Sequence, residues 1–508
     1  MRTSEPKGAE IGTMRNSSNP DFSGLRETVW LYAIVVGVVG AGIFFSLYAG
    51  ARLPPPATVS PHIALAQEGV HHADSIRSSS PTVVAGLVHN ASTGLSHLIL
   101  QLIVILTVSS AVGWVFTCVG QPAVVGEMMA GILLGPSLFG VLAHSAFLFV
   151  FAPASLDALR LFSQIGVCIF MFAIGMELDL SQLRHSAHRF LVIGHSSILI
   201  PYLFGVVLAL FLYKNYAPAG TSFMPFAMVM GISMSITAFP VLVRILQDRK
   251  LFHSKPGQIA TLCAAIADVT AWCVLAFVVA IAGAANVKTA VFSLILVGVY
   301  VVAIMFIVKP LLRRLLGQSL LQESEPTKGV LALVFGTVLL SALSTEIIGI
   351  HALFGAFLAG IAMPAGGGFR KKLVLRVEHF SSVLLLPLFF AFIGLRTQIG
   401  LLNSWWDWLI WLVIIAVATV GKLGGTSLVS RLMNMSWRES LELGALMNTR
   451  GLMELIVLNI GYDLGILSLP IFTMLVLMAI VTTVMTGPLL NLFRDRSLLR
   501  TRSSVRAS

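Results

Sequence analysis

The stretch SITAFPVL, Ser235–Leu242, places a proline inside an apolar run of the chain. The run, 223–247, is long enough to cross a bilayer as a helix. Pro240 lacks the backbone N–H that a continuous helix needs, and Thr237 stands just before it, so we expect the helix to be interrupted here. Unwound backbone is tolerated at membrane depth only where protein or a water-filled cavity supplies hydrogen-bond partners.

A second stretch predicts a second interrupted helix. LMNTRGLMEL, Leu446–Leu455, puts Asn448, Arg450 and Gly451 inside another apolar run. Polar and ionisable residues at such depth are expensive, so they indicate a functional site or a structural pair. Glu454 follows Arg450 by four residues, which places the two side chains on one helix face and predicts a structural ion pair.

Two further apolar runs carry one charged residue each near their middle. Asp268 lies in AAIADVTAW, Ala264–Trp272, and Lys422 lies in VGKLGGT. A charge near the bilayer centre costs about 2.5–3.5 kcal/mol on insertion scales. Asp268, Lys422, Pro240 and Asn448 each lie about 10–15 Å from the same end of their spans, at 1.5 Å per residue. Four such features at one depth predict a single site.

The whole chain has the composition of a membrane protein. Of its 508 residues 57% are hydrophobic and only 11% are charged, whereas about 25% charged residues is usual in soluble proteins. We predict an all-α polytopic protein with about 14 apolar spans. The expected spans are 29–50, 95–118, 123–141, 159–176, 190–213, 223–247, 258–284, 289–308, 329–345, 350–364, 379–395, 405–430, 439–461 and 469–493.

The basic residues predict the orientation of these spans. Lys and Arg occur before the first span, in nearly every second loop after it, and in the tail. Because cytoplasmic loops are enriched in basic residues, we expect both termini to be cytoplasmic, in a plasma or inner membrane. The net charge of +11 then reflects topology, and no nucleic-acid partner is expected. The four cysteines lie in apolar spans and indicate neither a disulfide framework nor a metal site.

The order of the spans predicts two inverted halves. Without the first helix, six spans precede 289–308 and six follow it, so the halves run in opposite directions. The spans that contain Pro240 and Asn448 are each the fifth of their half. Interrupted helices at matching positions of inverted halves indicate the binding site of a secondary transporter.

Several motifs resemble those of the second cation:proton antiporter family. They include GQPAVVGEMMAGILLGPSLFG at 120–140, MFAIGMELDL at 171–180, ITAFPVLVRIL at 236–246 and MNTRGLMELIVLNIG at 447–461. The resemblance is greatest to its cation/proton exchanger branch, known best from plants, and extends to related bacterial K⁺/H⁺ and Na⁺/H⁺ antiporters.

The resemblance implies a sodium/proton-antiporter-like fold over residues 95–493. Its about 13 helices would form two inverted repeats with crossed broken helices. It also implies a homodimer formed by a panel domain, and a six-helix core that carries the ion like an elevator. That core would comprise about 190–284 and 405–493, with the panel as the remainder. Residues 1–94 would add a tail, an extra helix and an outer loop, and 494–508 a short basic tail.

In that resemblance Asp268 is the residue that binds the ion and carries the proton. Family members have Asp-Asp or Asn-Asp where this chain has Ala267 and Asp268. Partial removal from water disfavours a charged carboxylate and moves proton release towards neutral pH, so one aspartate can exchange a proton for K⁺ or Na⁺. With alanine at 267 we expect electroneutral one-for-one exchange.

The neighbouring residues carry less specific predictions. Thr237 and the carbonyls of Ala238 and Phe239 are candidate cation ligands, although Thr237 is equally well explained as a helix cap. Lys422 can pair with an empty Asp268 or brace the broken helices by binding their carbonyls, and we favour the brace. Three acids are candidates for the cytoplasmic mouth of the pathway, with packing or solvation as the alternative: Glu127, Glu177 and Asp179.

Other membrane functions fit the sequence less well. A channel needs a continuous polar pathway or a repeated filter segment, and an intramembrane aspartyl protease needs a second deep aspartate. A scaffold or sensor would not need four costly features at one depth. We therefore predict a transporter and not an enzyme. It would have no cofactor and, because no GxxxxGK[ST] loop occurs, would be driven by a proton or cation gradient.

Overall fold

The computed structural model describes residues 22–56, 94–177, 187–252, 254–282, 287–322, 327–364 and 369–493, and within these ranges the chain is helical and contains no strand. The expected outer loop and C-terminal tail lie outside the described residues. The helices of the first part are α1 Phe22–Gly50, α2 Gly94–Cys118, α3 Ala123–Leu134, α4 Phe139–Leu142, α5 His144–Val150, α6 Leu156–Glu177, α7 Ala187–Tyr216, α8 Phe223–Ser235, α9 Phe239–Asp248 and α10 Lys255–Ala282. Those of the second part are α11 Val287–Ala303, α12 Lys309–Gln322, α13 Lys328–Ile348, α14 Ala352–Ala362, α15 Phe369–Phe380, α16 Leu386–Arg396, α17 Trp405–Thr419, α18 Gly425–Leu432, α19 Trp437–Met447, α20 Leu452–Asp463 and α21 Leu469–Phe493.

Twelve helical segments in the described part of the chain are long and apolar enough to cross a membrane. The other two predicted spans differ from a simple crossing. The predicted span 350–364 is the 11-residue helix α14, about 16 Å long at 1.5 Å per residue, which does not cross a bilayer alone. The predicted span 439–461 is divided into α19 and α20. The expected all-α polytopic architecture is confirmed.

Within the described residues, three helices continue through a π-helical turn that the sequence pattern does not reveal. The turns are Ile304–Val308, Ser381–Leu385 and Val420–Gly424. They connect α11 to α12, α15 to α16 and α17 to α18, so these helices extend further than the predicted spans. The third turn carries Lys422. Such turns often occur at functional sites because they displace the side chains of one helical turn.

Most of the long helices pack in two groups. We call α2, α3, α6, α13, α14 and α16 the first helix group, and α7–α10 with α17–α21 the second. In the first group, α3 and α6 pack against α16, α2 packs on α3, and α14 packs between α6 and α13. In the second group, α7 packs against α8, α10 and α18, while α19 packs against α10, α18 and α21. Helix α1 lies on α7 and α8, where Gly42 meets the side chain of Leu203 and Gly50 meets the ring of Phe223.

The two interrupted helices cross at their breaks. The N–H of Ala238, between α8 and α9, donates to the carbonyl of Thr449, between α19 and α20, at 3.0 Å. Lys255 pairs with Glu439 at 2.9 Å, so the end of α9 and the start of α19 share one end of the bundle. We call this the basic end. Because α8 approaches the crossing from the opposite end and α19 from the basic end, the interrupted helices are antiparallel, as inverted repeats require.

Candidate functional site

The broken end of α8 is closed by two cationic side chains. The last carbonyls of a helix have no partner within the helix and need donors from elsewhere. Arg450 donates from Nη1 to the carbonyl of Ser233 at 2.6 Å and from Nη2 to that of Met234 at 2.7 Å. Lys422 donates from Nζ to the carbonyl of Ser235. The negative end of the α8 dipole therefore meets two positive charges, which is the favourable arrangement.

The broken end of α19 is closed by neutral groups. The hydroxyl of Thr237 donates to the carbonyl of Met447 at 3.1 Å, and the Ala238–Thr449 backbone bond lies beside it. The Thr237 hydroxyl thus acts as a helix cap, one of the two predicted roles. The Ala238 carbonyl already accepts from the N–H of Leu242 at 2.9 Å, so cation binding there would use its second lone pair.

The predicted pair of Arg450 and Glu454 is present and fully buried. Arg450 Nη1 lies 3.3 Å from Glu454 Oε2, and neither side chain is exposed. The backbone N–H of Arg450 donates to the hydroxyl of Thr483 on α21 at 3.0 Å. Gly451, next in the chain, has φ = +151° and ψ = −134°, a conformation that favours glycine. Asn448 donates to the carbonyl of Thr482 at 3.5 Å.

Asp268 differs from these charges because its carboxylate has no hydrogen-bond partner. It lies near the middle of α10, is 1% exposed, and neither of its oxygens is bonded to any described residue. Buried polar groups are nearly always hydrogen-bonded, and an isolated buried carboxylate is very costly in its charged form. The position of Asp268 is therefore suited to a group that is neutralised by a bound proton or cation.

Lys422 interacts with Asp268 electrostatically but does not bond to it. Its Nζ donates to the carbonyl of Ser197 on α7 at 2.8 Å and to Ser235, and it forms no ion pair with Asp268. This geometry is the one expected of a bracing lysine. Ala267, beside Asp268, is buried in an apolar cluster that includes Met447. At position 267 the chain therefore contributes apolar packing and no polar side chain.

A cavity of about 400 Å³ lies between the two helix groups and reaches both breaks. Pro240 and Val241, at the start of α9, and Leu452, at the start of α20, form one wall. Glu127 on α3 lines the opposite wall, and Arg244 lines both this cavity and a second one of about 290 Å³ at the basic end. The larger cavity therefore lies on the basic side of the crossing.

The structure brings together most of the predicted site residues. Thr237 and Ala238 bond to Met447 and Thr449, the neighbours of Asn448 in the chain. Phe239 and Pro240 follow directly at the start of α9. Arg450, paired with Glu454, and Lys422 bond to the end of α8. Glu127 lies apart from them on the cavity wall, Glu177 is exposed at the end of α6, and Asp179 lies outside the described residues.

Sequence reasoning missed the supports on α7 and α21. The carbonyl of Ser197 does leave a signal, because Pro201 lies four residues further on inside α7 and has no N–H to bond it. The threonines of α21 leave another. Thr482, Thr483 and Thr486 are buried in a mostly apolar helix, and each contacts the segment Asn448–Arg450. A cluster of hydroxyls within an apolar span could have predicted a polar partner on a neighbouring helix.

Comparisons with known proteins give relatives in sequence. The transmembrane sodium/hydrogen exchanger family matches residues 103–493. The Na⁺/H⁺ antiporter NhaS4 of Synechocystis is 40% identical over 390 residues, which cover 77% of this chain and 95% of that relative. Cation/H⁺ antiporter 17 of Arabidopsis thaliana is 40% identical over 77% of this chain and 48% of its own length. K⁺/H⁺ antiporter 1 of Saccharomyces cerevisiae is 32% identical over 80% and 47%. The chain spans about half the length of the last two relatives.

A solved structure gives a relative in fold. The sodium/proton antiporter MjNhaP1 of Methanocaldococcus jannaschii superposes with a TM-score of 0.56 over 78% of this chain and 96% of that protein. The two sequences are 14% identical, so this similarity concerns the fold alone.

Proposed function

The chain belongs to the sodium/hydrogen exchanger family, and on this premise we propose that it exchanges a monovalent cation, K⁺ or Na⁺, for a proton at Asp268. The observation that carries the assignment to Asp268 is its buried carboxylate without a hydrogen-bond partner. Lys422, Arg450 and Glu454, the other charged residues around the crossing, are each bonded to protein groups.

Exchange follows from competition for one carboxylate. Asp268 binds a proton or a cation, and binding of either releases the other. A buried, uncompensated carboxylate is unfavourable, which disfavours movement of the empty site and favours movement of either loaded form. Backbone carbonyls at the crossing, including that of Ala238, are candidates to complete a cation's coordination, with Thr237 and the Phe239 carbonyl beside it.

The charges around Asp268 favour electroneutral exchange. Lys422 stays bonded to the carbonyls of Ser197 and Ser235, and we propose that its protonation does not change during the cycle. With Lys422 unchanged, the site carries the same charge whether Asp268 holds a proton or a monovalent cation. One cation would then be exchanged for one proton without net movement of charge.

Alternating access would come from movement of the second helix group against the first. The second group lies within the predicted core, 190–284 and 405–493, and contains Asp268 and both broken helices. The first group would be the stationary panel and would form a homodimer with a second copy. The cavity between the groups supports this division. The basic residues at its end of the bundle support a cytoplasmic opening, with both termini on that side.

The test is proton flux in proteoliposomes with an imposed pH gradient. We expect addition of K⁺ or Na⁺ to collapse the gradient in the unmodified protein, and Asp268→Asn to abolish this flux. Asp157→Asn is the matched control, because it removes an exposed carboxylate at the start of α6. Undiminished flux through Asp268→Asn would exclude Asp268 as the exchange site.

The stoichiometry is tested in the same vesicles. Clamping the membrane voltage with an ionophore should leave the exchange rate unchanged if one cation is exchanged for one proton. A rate that depends on the imposed voltage would show that a second charge moves, and would point to proton release from Lys422.

A further inference from the structure

A cluster of polar contacts joins the two helix groups at the end away from the basic loops. Arg396, the last residue of α16 in the first group, donates from Nη1 to Asn459 Oδ1 and to Asp463 Oδ1, both at 2.6 Å. Asn459 and Asp463 belong to α20 in the second group, and Asn459 Nδ2 donates to Asp463 Oδ2 at 3.1 Å. One arginine therefore binds two side chains that are bonded to each other.

Aromatic rings and a neighbouring backbone bond strengthen this connection. The Arg396 guanidinium lies 4.3 Å from the ring centre of Phe392 on its own helix and 5.3 Å from that of Tyr462 on α20. Such cation–π contacts add to the attraction where water is partly excluded. The N–H of Gln398, two residues on, donates at 3.2 Å to the hydroxyl of Thr473 on α21.

Partial burial strengthens the electrostatic attraction between Arg396 and Asp463. The side chains of Arg396 and Asp463 are 18% and 22% exposed, so the pair is less screened than one on an open surface. Breaking such a pair leaves two partly desolvated charges without partners, which is costly. Separation of the two helix groups at this end therefore requires the loss of the Arg396 contacts.

An aromatic contact closes the same side at greater depth. Trp272 follows Asp268 by one helical turn, towards the end of α10 that lies away from the basic loops. It is buried and stacks on Phe357 of α14 with 5.9 Å between ring centres. The cavity that reaches the breaks lies on the other side of the crossing. The structure is thus open between the groups on the basic side and closed on the opposite side.

We infer that Arg396 gates the boundary between the two helix groups at the end opposite the basic end. Asn459 and Asp463 are the partners that it binds when this gate is closed and releases when it opens. The contacts of Arg396 hold the second helix group against the first while the cavity is open on the basic side. They break when Asp268 is carried to the other side and re-form on return. This inference rests on the proposed exchange by alternating access, and adds to it the residues that set the balance between the two states.

The expected effect is a shift of that balance towards the state open on the opposite side. Loss of the gate contacts in Arg396→Gln or Asp463→Asn should raise the population of that state by about tenfold, which corresponds to about 1.4 kcal/mol. Lys214→Gln is the matched control, because it removes an exposed positive charge near the end of α7.

Opening on the opposite side is measured with the substitution Leu353→Cys, introduced after the four native cysteines have been replaced. Leu353 is buried on α14, one turn before Phe357 on the same face and nearer the opposite end. A membrane-impermeant thiol reagent is added from that side of oriented vesicles. Both gate variants should label about tenfold faster than the parent and the Lys214→Gln control. The charge-swapped pair Arg396→Asp with Asp463→Arg should return towards the parent rate.

The outcomes separate the gate from the exchange mechanism. Equal labelling of the parent and both gate variants, with flux still dependent on Asp268, would overturn the gate alone. Flux that persists in Asp268→Asn would overturn the proposed exchange, whatever the labelling shows. Size-exclusion profiles and thermal unfolding distinguish a folded gate variant from a misfolded one, since faster labelling counts only for variants that match the parent in both.

Discussion

At the scale of single residues, the buried charged residues around the crossing are of two kinds. Three of them bond to protein groups at the crossing, and Asp268 does not. Lys422 and Arg450 bind the last carbonyls of α8, and Glu454 pairs with Arg450. Asp268 has no hydrogen-bond partner among the described residues. A charge that is bonded to backbone carbonyls cannot readily follow an ion, and for this reason we propose the unpaired residue as the exchange site.

Replacing Lys422 should destabilise the protein according to the donors that the new side chain keeps. Lys422→Leu leaves the carbonyls of Ser197 and Ser235 buried without a donor, at a cost of about 1–3 kcal/mol each. Lys422→Gln keeps an amide donor and should lose less. Thermal unfolding in detergent would rank the variants. Equal stability of Lys422→Leu and the parent would show that the lysine does not brace the helices.

Gly451→Ala should be strongly destabilising because of its backbone conformation. At φ = +151° an added Cβ would lie 3.0 Å from Val241 Cγ2, and we expect a cost of about 1–3 kcal/mol. Gly336→Ala is the control, since its added Cβ meets nothing within 4 Å in the helix α13. That change should be neutral or stabilising by roughly 0.5–1 kcal/mol. Midpoints of thermal unfolding give the comparison, which would fail if both variants behaved alike.

At the scale of elements, the two broken helices support each other through unequal means. The end of α8 uses two long cationic side chains, whereas the end of α19 uses Thr237 and the backbone of Ala238. Helix α21 adds hydroxyls from a third direction. The extended segments at the crossing therefore keep their hydrogen bonds only while α8, α19 and α21 keep their relative positions.

Thr483→Val should test the support from α21 with almost no change of shape. The variant removes the hydroxyl that accepts from the Arg450 N–H, leaving that donor buried and unpaired, at about 1–3 kcal/mol. Thr337→Val in α13 is a matched control, because that hydroxyl only donates to the carbonyl of Leu333 in its own helix. Both the unfolding midpoint and the exchange rate should fall for Thr483→Val alone. A loss of equal size in both variants would contradict this role.

At the scale of the whole molecule, the crossing, the cavity and the proposed gate lie along the boundary between the two helix groups. The cavity approaches the breaks from the basic side, and Arg396 closes the boundary on the other. The extra helix α1 packs on α7 and α8 of the second group.

Removal of α1 should therefore reduce stability more than exchange. A chain that begins at residue 94 keeps every residue of the crossing, the cavity and the gate. It loses the contact between Tyr32 and His195 and the packing of Gly50 on Phe223. We expect cation-dependent proton flux to persist with a lower unfolding midpoint, measured in the same proteoliposomes. Complete loss of flux from a folded truncated protein would show that α1 is part of the exchange mechanism.

Local sequence patterns predict much of the fold. Apolar runs, Pro240, the polar stretch around Arg450 and the alternation of basic loops depend on residue type and order alone, because lipid and backbone geometry act on each span separately. They predicted the spans, both breaks and the common depth of Asp268 and Lys422. They did not predict the π-helical turn at Lys422.

By itself the sequence determined that the chain crosses a membrane many times, with two interrupted helices and buried charges at one depth. The tertiary structure alone decided how those charges are used. Lys422 could have paired with Asp268, but the crossing brings two carbonyls to it instead. In the sequence, Arg396 and Asp463 are ordinary charged residues near helix ends. They form an ion pair because the ends of α16 and α20 meet in the tertiary structure. Partners that are distant in sequence are chosen by the meeting of helices, which no local pattern records.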